Sequence, residues 1–177
     1  AVVGLGVGTD DDLAIAAGIK CDRGILVDEY LRTNLPDTYA IGDLAVFPSR
    51  HFGGNLRLES VQNATDMAKT VAKTLTGDPA AYDIAPWFWS TQGPAKLQIA
   101  GLAGSADVVV ERGDRSTGRF SQFLFRDGNL VAVESVNAPA DHVAARRLLE
   151  HGRGISMEQA RDQTFDLKAY ARSVDAR

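Results

Sequence analysis

The hydrophobic pattern of the chain changes at Gly77-Asp78-Pro79, and that change limits what each side of it can fold into. Before it, Val61, Ala64, Ala68, Val71, Ala72 and Leu75 recur at steps of three and four residues, the spacing of one helical face. Ser60 offers a side-chain oxygen to cap that helix, and Gly77-Asp78-Pro79 ends it. Beyond it, Pro79, Pro86 and Pro94 bracket the segment YDIAPWFWSTQG, a proline-bounded loop carrying both tryptophans. Strand-like runs follow at 96–100, 108–112, 120–126 and 130–136, separated by turns at 101–107, 113–118 and Asp127-Gly128-Asn129. The last turn favours the positive φ of a tight hairpin, so the four runs read as an antiparallel meander. Residues 140–150 then read as a helix with Val143, Ala144, Leu148 and Leu149 on one face, and 156–163 as another. A domain boundary near residue 80 is expected.

The N-terminal side reads differently. VVGLGVGTDDDLA, residues 2–14, looks like a dinucleotide turn but fails its spacing. Gly4, Gly6 and Gly8 do not match G-x-G-x-x-G, because the third position is Thr9. Asp10-Asp11-Asp12 would also repel phosphate. A strand end, a turn and a short helix over 12–17 closed by Gly18 fit better. Ile25-Leu26-Val27 predicts a short strand, and 33–37 has turn chemistry. Tyr39-Ala40-Ile41 predicts a buried parallel strand ending at Gly42-Asp43, and 48–56 a loop. The fold class is therefore α/β in the first part and α+β with an antiparallel sheet in the second.

Composition excludes several functions. The 19 Lys and Arg against 23 Asp and Glu leave a net charge of −4, so no nucleic-acid face is expected. The one cysteine, Cys21, has no partner for an internal disulfide, which points to a reducing, cytoplasmic setting. No apolar run reaches the roughly 18 residues of a membrane span. His51, His142 and His151 lack ligand spacing, so no metal site is expected.

Three stretches could carry chemistry. Gly42-Asp43 ends a predicted strand, where open α/β sheets bind ligands; Gly42 permits close backbone approach and Asp43 can accept sugar or ribityl hydroxyls. The alternative is a turn aspartate satisfied by neighbouring amides. In LRLESVQNA, residues 56–64, the helix start at Ser60 and Val61 presents free N–H groups and about half a positive charge, suited to an anionic reduced flavin. The alternative is an ordinary capped helix with Glu59 solvated. In PWFWS, residues 86–90, the indoles pack either between domains or against an aromatic cofactor.

Together, TNLPDTYAIGDLA, LRLESVQNA, PWFWSTQ and KLQIAGL occur in the order seen in FAD-dependent NAD(P)H:ferredoxin reductases of the putidaredoxin, rubredoxin and rhodocoxin type, including dioxygenase components. The chain resembles the C-terminal portion of that family. Apoptosis-inducing factor is a more distant likeness. The resemblance implies the end of an NAD-binding domain over 1–20, the C-terminal half of a split, Rossmann-like FAD-binding domain over 21–79, and a C-terminal interface domain over 80–177. It makes VVGLGVGTDDDLA an exit from a nucleotide domain, with both true fingerprints upstream. It places Asp43 at the FAD ribityl chain and the Val61 backbone amide at the flavin carbonyl, with Gly42, Ser60 and Gln62 also among the cofactor-binding residues. Trp89 stands beside the flavin with Trp87 as a companion, and Glu59 and Gly4 toward the nicotinamide.

The implied reaction passes electrons from NAD(P)H through FAD to a 2Fe–2S ferredoxin or a rubredoxin serving an oxygenase. No catalytic side chain is assigned, since the family's acid–base residues lie in its NAD domain. Arg50, Arg57, Lys96 and Arg119 are candidates for a basic patch facing an acidic partner. The remainder of a reductase of roughly four hundred residues, judged by the two missing nucleotide units, is a further partner. The isolated chain is expected to hold no FAD tightly, to oxidise no NAD(P)H, and to self-associate through uncovered edges. A contrasting expectation is a non-catalytic docking or dimerisation module anchored by Trp87 and Trp89.

Overall fold

The computed structural model describes residues 3, 6, 8–104 and 106–174. They divide into two compact units, Ala1–Asp83 and Ile84–Arg177.

The first unit starts with the short helix α1 (Asp12–Ala16) and builds a three-stranded sheet from β1 (Ile25–Leu26), β2 (Ala45–Ser49) and β3 (Gly54–Arg57), in that order. β1 runs parallel to β2, with Ile25 opposite Ala45, and β2 and β3 form an antiparallel hairpin from Val46↔Arg57 to Ser49↔Gly54. Residues 48–56 are therefore a hairpin, not the predicted loop. Tyr39-Ala40-Ile41 is also not a strand. Ile41 is extended (φ −139°, ψ 165°), but Tyr39 makes only an isolated bridge to Arg32. Apolar runs report burial, whereas a strand needs a neighbour to accept its ladder bonds. The parallel strand is β2, which follows Gly42-Asp43 instead of leading into it. The three residues Gly42–Leu44 form a 3-10 turn.

Helix α2 (Val61–Leu75) is capped as its sequence predicts, with Ser60 Oγ accepting from the Asn63 amide at 3.0 Å. It ends at Thr76 and at Gly77, whose φ of +88° only glycine takes without strain. Its buried face is not the predicted one. Gln62, Asn63, Met67 and Thr70 face inward, while Val61 and Leu75 are 69% and 68% exposed. Polar partners decide this orientation. Asn63 donates to the Leu58 carbonyl and accepts from the Tyr82 hydroxyl, Gln62 donates to Asp66, and the Thr70 hydroxyl donates to the Asp66 carbonyl. Of the predicted stripe, Ala64 and Val71 are half-buried, and Val61, Ala68, Ala72 and Leu75 are exposed.

The second unit holds five antiparallel strands: β4 (Trp87–Gln92), β5 (Ala95–Gly101), β6 (Val108–Asp114), β7 (Arg119–Arg126) and β8 (Asn129–Val136). Their order is β4-β5-β8-β7-β6. This is not a meander, because β8 inserts between β5 and β7. Alternation marks each strand but carries no information about which strands are neighbours. The tryptophans stand on the edge strand β4, not in a loop. The β7–β8 turn takes positive φ at Asp127 (+50°) and Gly128 (+77°), as Asp-Gly predicts.

One face of this sheet carries helices α3 (Pro139–Glu150), α4 (Met157–Arg161) and α5 (Leu167–Ser173). Phe123, Phe125 and Val133 pack there with Ala144, Ala145, Leu148, Ala160 and Ala171. Val143, expected to face inward, is 63% exposed, and His142 and Ala145 are buried in its place. Two positions along a helix are about 200° of rotation, so burying Ala145 turns Val143 outward. Helix α4 begins with a capping box between Ser156 and Gln159.

Candidate functional site

In the first unit, the short segment around Gly42-Asp43 is fixed at two points. The Gly42 amide donates to Met67 Sδ at 3.2 Å, and the Asp43 carbonyl accepts from Arg57 Nη1 at 2.8 Å. Arg57 also pairs with Glu59 at 2.7 Å, so one guanidinium joins the turn to the residue before the helix cap. Gly42 is needed for its φ of +74°; a Cβ there would meet only the Ala64 Cβ at 3.6 Å, an ordinary contact. Gly42, Asp43, Glu59, Ser60, Val61 and Gln62 thus belong to one connected segment: the turn and the start of α2.

The chemistry of that segment suits a polar ligand with an anionic edge. Asp43 is exposed, and among the described residues its carboxylate takes no hydrogen bond or ion pair. It is not the self-satisfied turn aspartate of the alternative reading. An α-helix gives the amide of its first residue, Val61, no intrahelical acceptor, and the macrodipole adds positive potential there. Ser60 Oγ is already used by Asn63, and Gln62 is buried with its amide donating to Asp66 at 2.6 Å, so backbone atoms carry the helix-tip chemistry. A carboxylate on a turn packed against α2, with the free amides of that helix's first turn, suits the hydroxyls and carbonyl edge of a flavin. Gly4 lies outside the described residues.

In the second unit, alternation along β4 puts Trp87 and Trp89 on one face of the sheet. Their ring centres are 5.2 Å apart with a 32° tilt. Trp89 is 51% exposed and, with Trp87, Lys96, Leu97, Gln98 and Pro139, lines a cavity of about 550 Å³. The His142 ring lies 5.8 Å from that of Trp87, and the Arg146 guanidinium carbon 4.8 Å from the Trp87 ring centre. His142 is buried, and desolvation, followed by the Arg146 charge, holds its imidazole below the ordinary range. The sequence reading missed His142 and Arg146. Their i, i+4 spacing placed them on one helical face, but nothing in the sequence said which strand that face would meet.

Of the four candidate cations, Arg50 is held by Asp83 at 2.6 Å and Arg57 by Glu59. Lys96 and Arg119 make no ion pair among the described residues. No cluster of three potential metal ligands occurs among them, and none of their helices is long and apolar enough to cross a membrane.

Comparison with known proteins divides the chain in the same sequence order. Residues 1–68 match the pyridine nucleotide-disulphide oxidoreductase family, and residues 87–171 match the reductase C-terminal family. The first match lies in the first compact unit and the second in the second unit. Rhodocoxin reductase of Rhodococcus erythropolis is 50% identical over 98% of this chain and 41% of its own length. The ferredoxin reductase subunit of a 5,5'-dehydrodivanillate O-demethylase from Sphingobium is 42% identical over 94% of this chain and 41% of its own. Among solved structures, a ferredoxin reductase from Rhodopseudomonas palustris superposes with a TM-score of 0.92 at 49% identity, over 95% of this chain and 42% of that one. Putidaredoxin reductase, in its covalent complex with putidaredoxin, gives 0.87 at 31% identity, over 94% and 40%. The chain is similar over nearly all its length to the corresponding part of ferredoxin reductases and spans about two fifths of the length of these relatives.

Proposed function

We propose that this chain supplies the flavin-contacting and partner-facing portion of an FAD-dependent NAD(P)H:ferredoxin oxidoreductase. Residues 1–20 then close an NAD-binding domain, 21–79 complete the FAD-binding domain, and 80–177 form the interface domain. Bound FAD would supply the chemistry that accepts a hydride and releases electrons singly. The chain's own residues hold and orient it. The Asp43 carboxylate accepts from ribityl hydroxyls, and Gly42 keeps that carboxylate in its turn. The Val61 amide, with the α2 dipole behind it, would favour negative charge on the carbonyl edge of the bound flavin. The family resemblance assigns Trp89 to the ring system, and Glu59 and Gly4 to the nicotinamide side. The electron acceptor is a 2Fe–2S ferredoxin or a rubredoxin serving an oxygenase, in the cytoplasm, and Lys96 and Arg119 are the cations left to meet an acidic partner.

The observation that carries this reading is the exposed Asp43 carboxylate, without a hydrogen bond or ion pair among the described residues, on a turn whose Gly42 packs against Ala64 and Met67 of α2. The test is FAD titration of the reductase carrying this sequence. Asp43→Ala is expected to weaken FAD binding at least tenfold, as loss of a charge-assisted hydrogen bond of about 1.5–3 kcal/mol implies, with the apoprotein's unfolding midpoint unchanged. Unchanged affinity overturns the assignment. The 177-residue chain alone should purify without flavin colour and without NAD(P)H oxidation, because it holds no complete dinucleotide fingerprint for the pyrophosphate.

The half-exposed Trp89 beside its cavity also favours a second reading, a docking anchor. Trp89→Ala in the reductase separates the two. Slower electron delivery with unchanged association supports the flavin role, and lost association with normal flavin reduction supports docking.

A further inference from the structure

We infer that His142 and Arg146 of α3 are positioning residues that clamp Trp87 from behind and, through it, hold Trp89 in place. The functional consequence of the clamp rests on the flavin reading above; the clamp itself does not.

The contacts are unequal. Trp87 meets the ring of Trp89 at 5.2 Å, that of His142 at 5.8 Å and the Arg146 guanidinium at 4.8 Å. Among the described residues the ring contact of Trp89 is Trp87, and Trp89 is half exposed. Trp87 is therefore the platform and Trp89 the side chain presented to whatever fills the cavity.

The clamp is itself fixed. His142 and Arg146 sit at i and i+4, one above the other on α3. Arg146 Nε donates to Glu150 Oε1 at 2.7 Å, one turn further on, which orients the guanidinium plane. A cation over an indole face is attracted by the ring quadrupole, and the attraction grows as water is excluded. His142 is 3% exposed, and its Nδ1 has no hydrogen-bond partner among the described residues. A neutral imidazole packs against Trp87 without repelling Arg146, whereas an imidazolium would place a second cation beside it. Nothing else in the mechanism proposed above uses either residue.

The two tryptophans are the only ones in the chain, so their exciton couplet in circular dichroism reports their mutual geometry without interference. Trp87→Phe or Trp89→Phe should abolish the couplet and so assign it. Arg146→Gln should lose most of its amplitude, and Arg146→Lys should keep it. The Arg146 side chain is 38% exposed, so both variants should fold. His142→Phe, which retains a ring, should keep the couplet and His142→Ala should diminish it. A wild-type couplet in Arg146→Gln overturns the clamp. The same variants are then placed in the reductase and electron delivery to a 2Fe–2S ferredoxin is measured. A lower saturating rate at unchanged KM, rescued by Arg146→Lys, supports both the clamp and the flavin reading. Loss of the couplet with an unchanged saturating rate supports the clamp and overturns the role of Trp89 beside the flavin.

Discussion

The Gly42 amide donates to the sulfur of Met67 at 3.2 Å, joining the turn that carries Asp43 to the buried face of α2. Met67 is fully buried and also accepts from Asn63 at 3.5 Å. A sulfur is a weak acceptor, but inside the unit it is the partner this amide has.

Met67→Leu keeps the volume and removes the acceptor. The buried Gly42 amide is then unsatisfied, and the expected loss is about 1–2 kcal/mol in urea unfolding, with an unchanged denaturant slope. A midpoint equal to wild type would show that the sulfur contributes packing only.

Tyr82 closes the same network, its hydroxyl donating to Asn63 Oδ1 at 2.9 Å. Burial, reinforced by the Asp66 charge, pushes its phenol well above the ordinary value of 10.0. The unfolded chain therefore ionises first as pH rises. The stability due to Tyr82 is complete below about pH 10 and is lost above it, as tyrosinate forms in the unfolded state. Ultraviolet titration should show one of the four tyrosines resisting ionisation until the fold opens. Tyr82→Phe removes that resistance and leaves Asn63 Oδ1 without its donor, at a cost of about 1–2 kcal/mol.

Glycines at positive φ should differ sharply in their tolerance of alanine. Gly101 (φ +80°) closes β5, and a Cβ there would collide with the Val131 carbonyl oxygen and approach Leu149 Cδ1 to 2.9 Å. Gly128 (φ +77°) has no atom within 4 Å of such a Cβ. Gly101→Ala is expected to cost about 3 kcal/mol or more, and Gly128→Ala about 1 kcal/mol from the backbone alone. Thermal unfolding of the two variants side by side checks the ranking.

His142 gives the chain a pH dependence in mild acid. Its folded imidazole is held below the ordinary 6.5, chiefly by desolvation and then by Arg146. Below pH 6.5 the unfolded state binds the proton more readily than the folded one. Stability is therefore full above that value and declines as pH falls toward the folded pKa. The carboxylates of Asp114 and Asp162, lowered by hydrogen bonds from Ser116 and Thr164, act only in more acid solution. His142→Phe should flatten the stability profile just below pH 6.5 and leave the more acid limb in place.

The predictions above draw on residues whose legibility in the sequence was uneven. The cap at Ser60, the stop at Gly77 and the Asp127-Gly128 hairpin were all readable, because each depends on bonds or dihedrals within a few residues. The inward face of α2 was not readable. Asn63 and Thr70 look like surface residues until Leu58, Tyr82 and Asp66 supply their partners. The strand expected at Tyr39-Ala40-Ile41 failed for a related reason, since pairing depends on a distant neighbour.

By itself the sequence determined the elements whose causes are local: the capped helix after Ser60, the four strand runs after residue 95, their tight turns, and the motif order that pointed to the family. Only the tertiary structure decided the strand order that inserts β8 between β5 and β7, the polar interior face of α2, and the meeting of His142 and Arg146 with Trp87. Local dihedrals and caps are set by interactions along a few residues of chain. Neighbours across a sheet, and the face a helix turns inward, are set by which distant groups satisfy one another once water has been excluded.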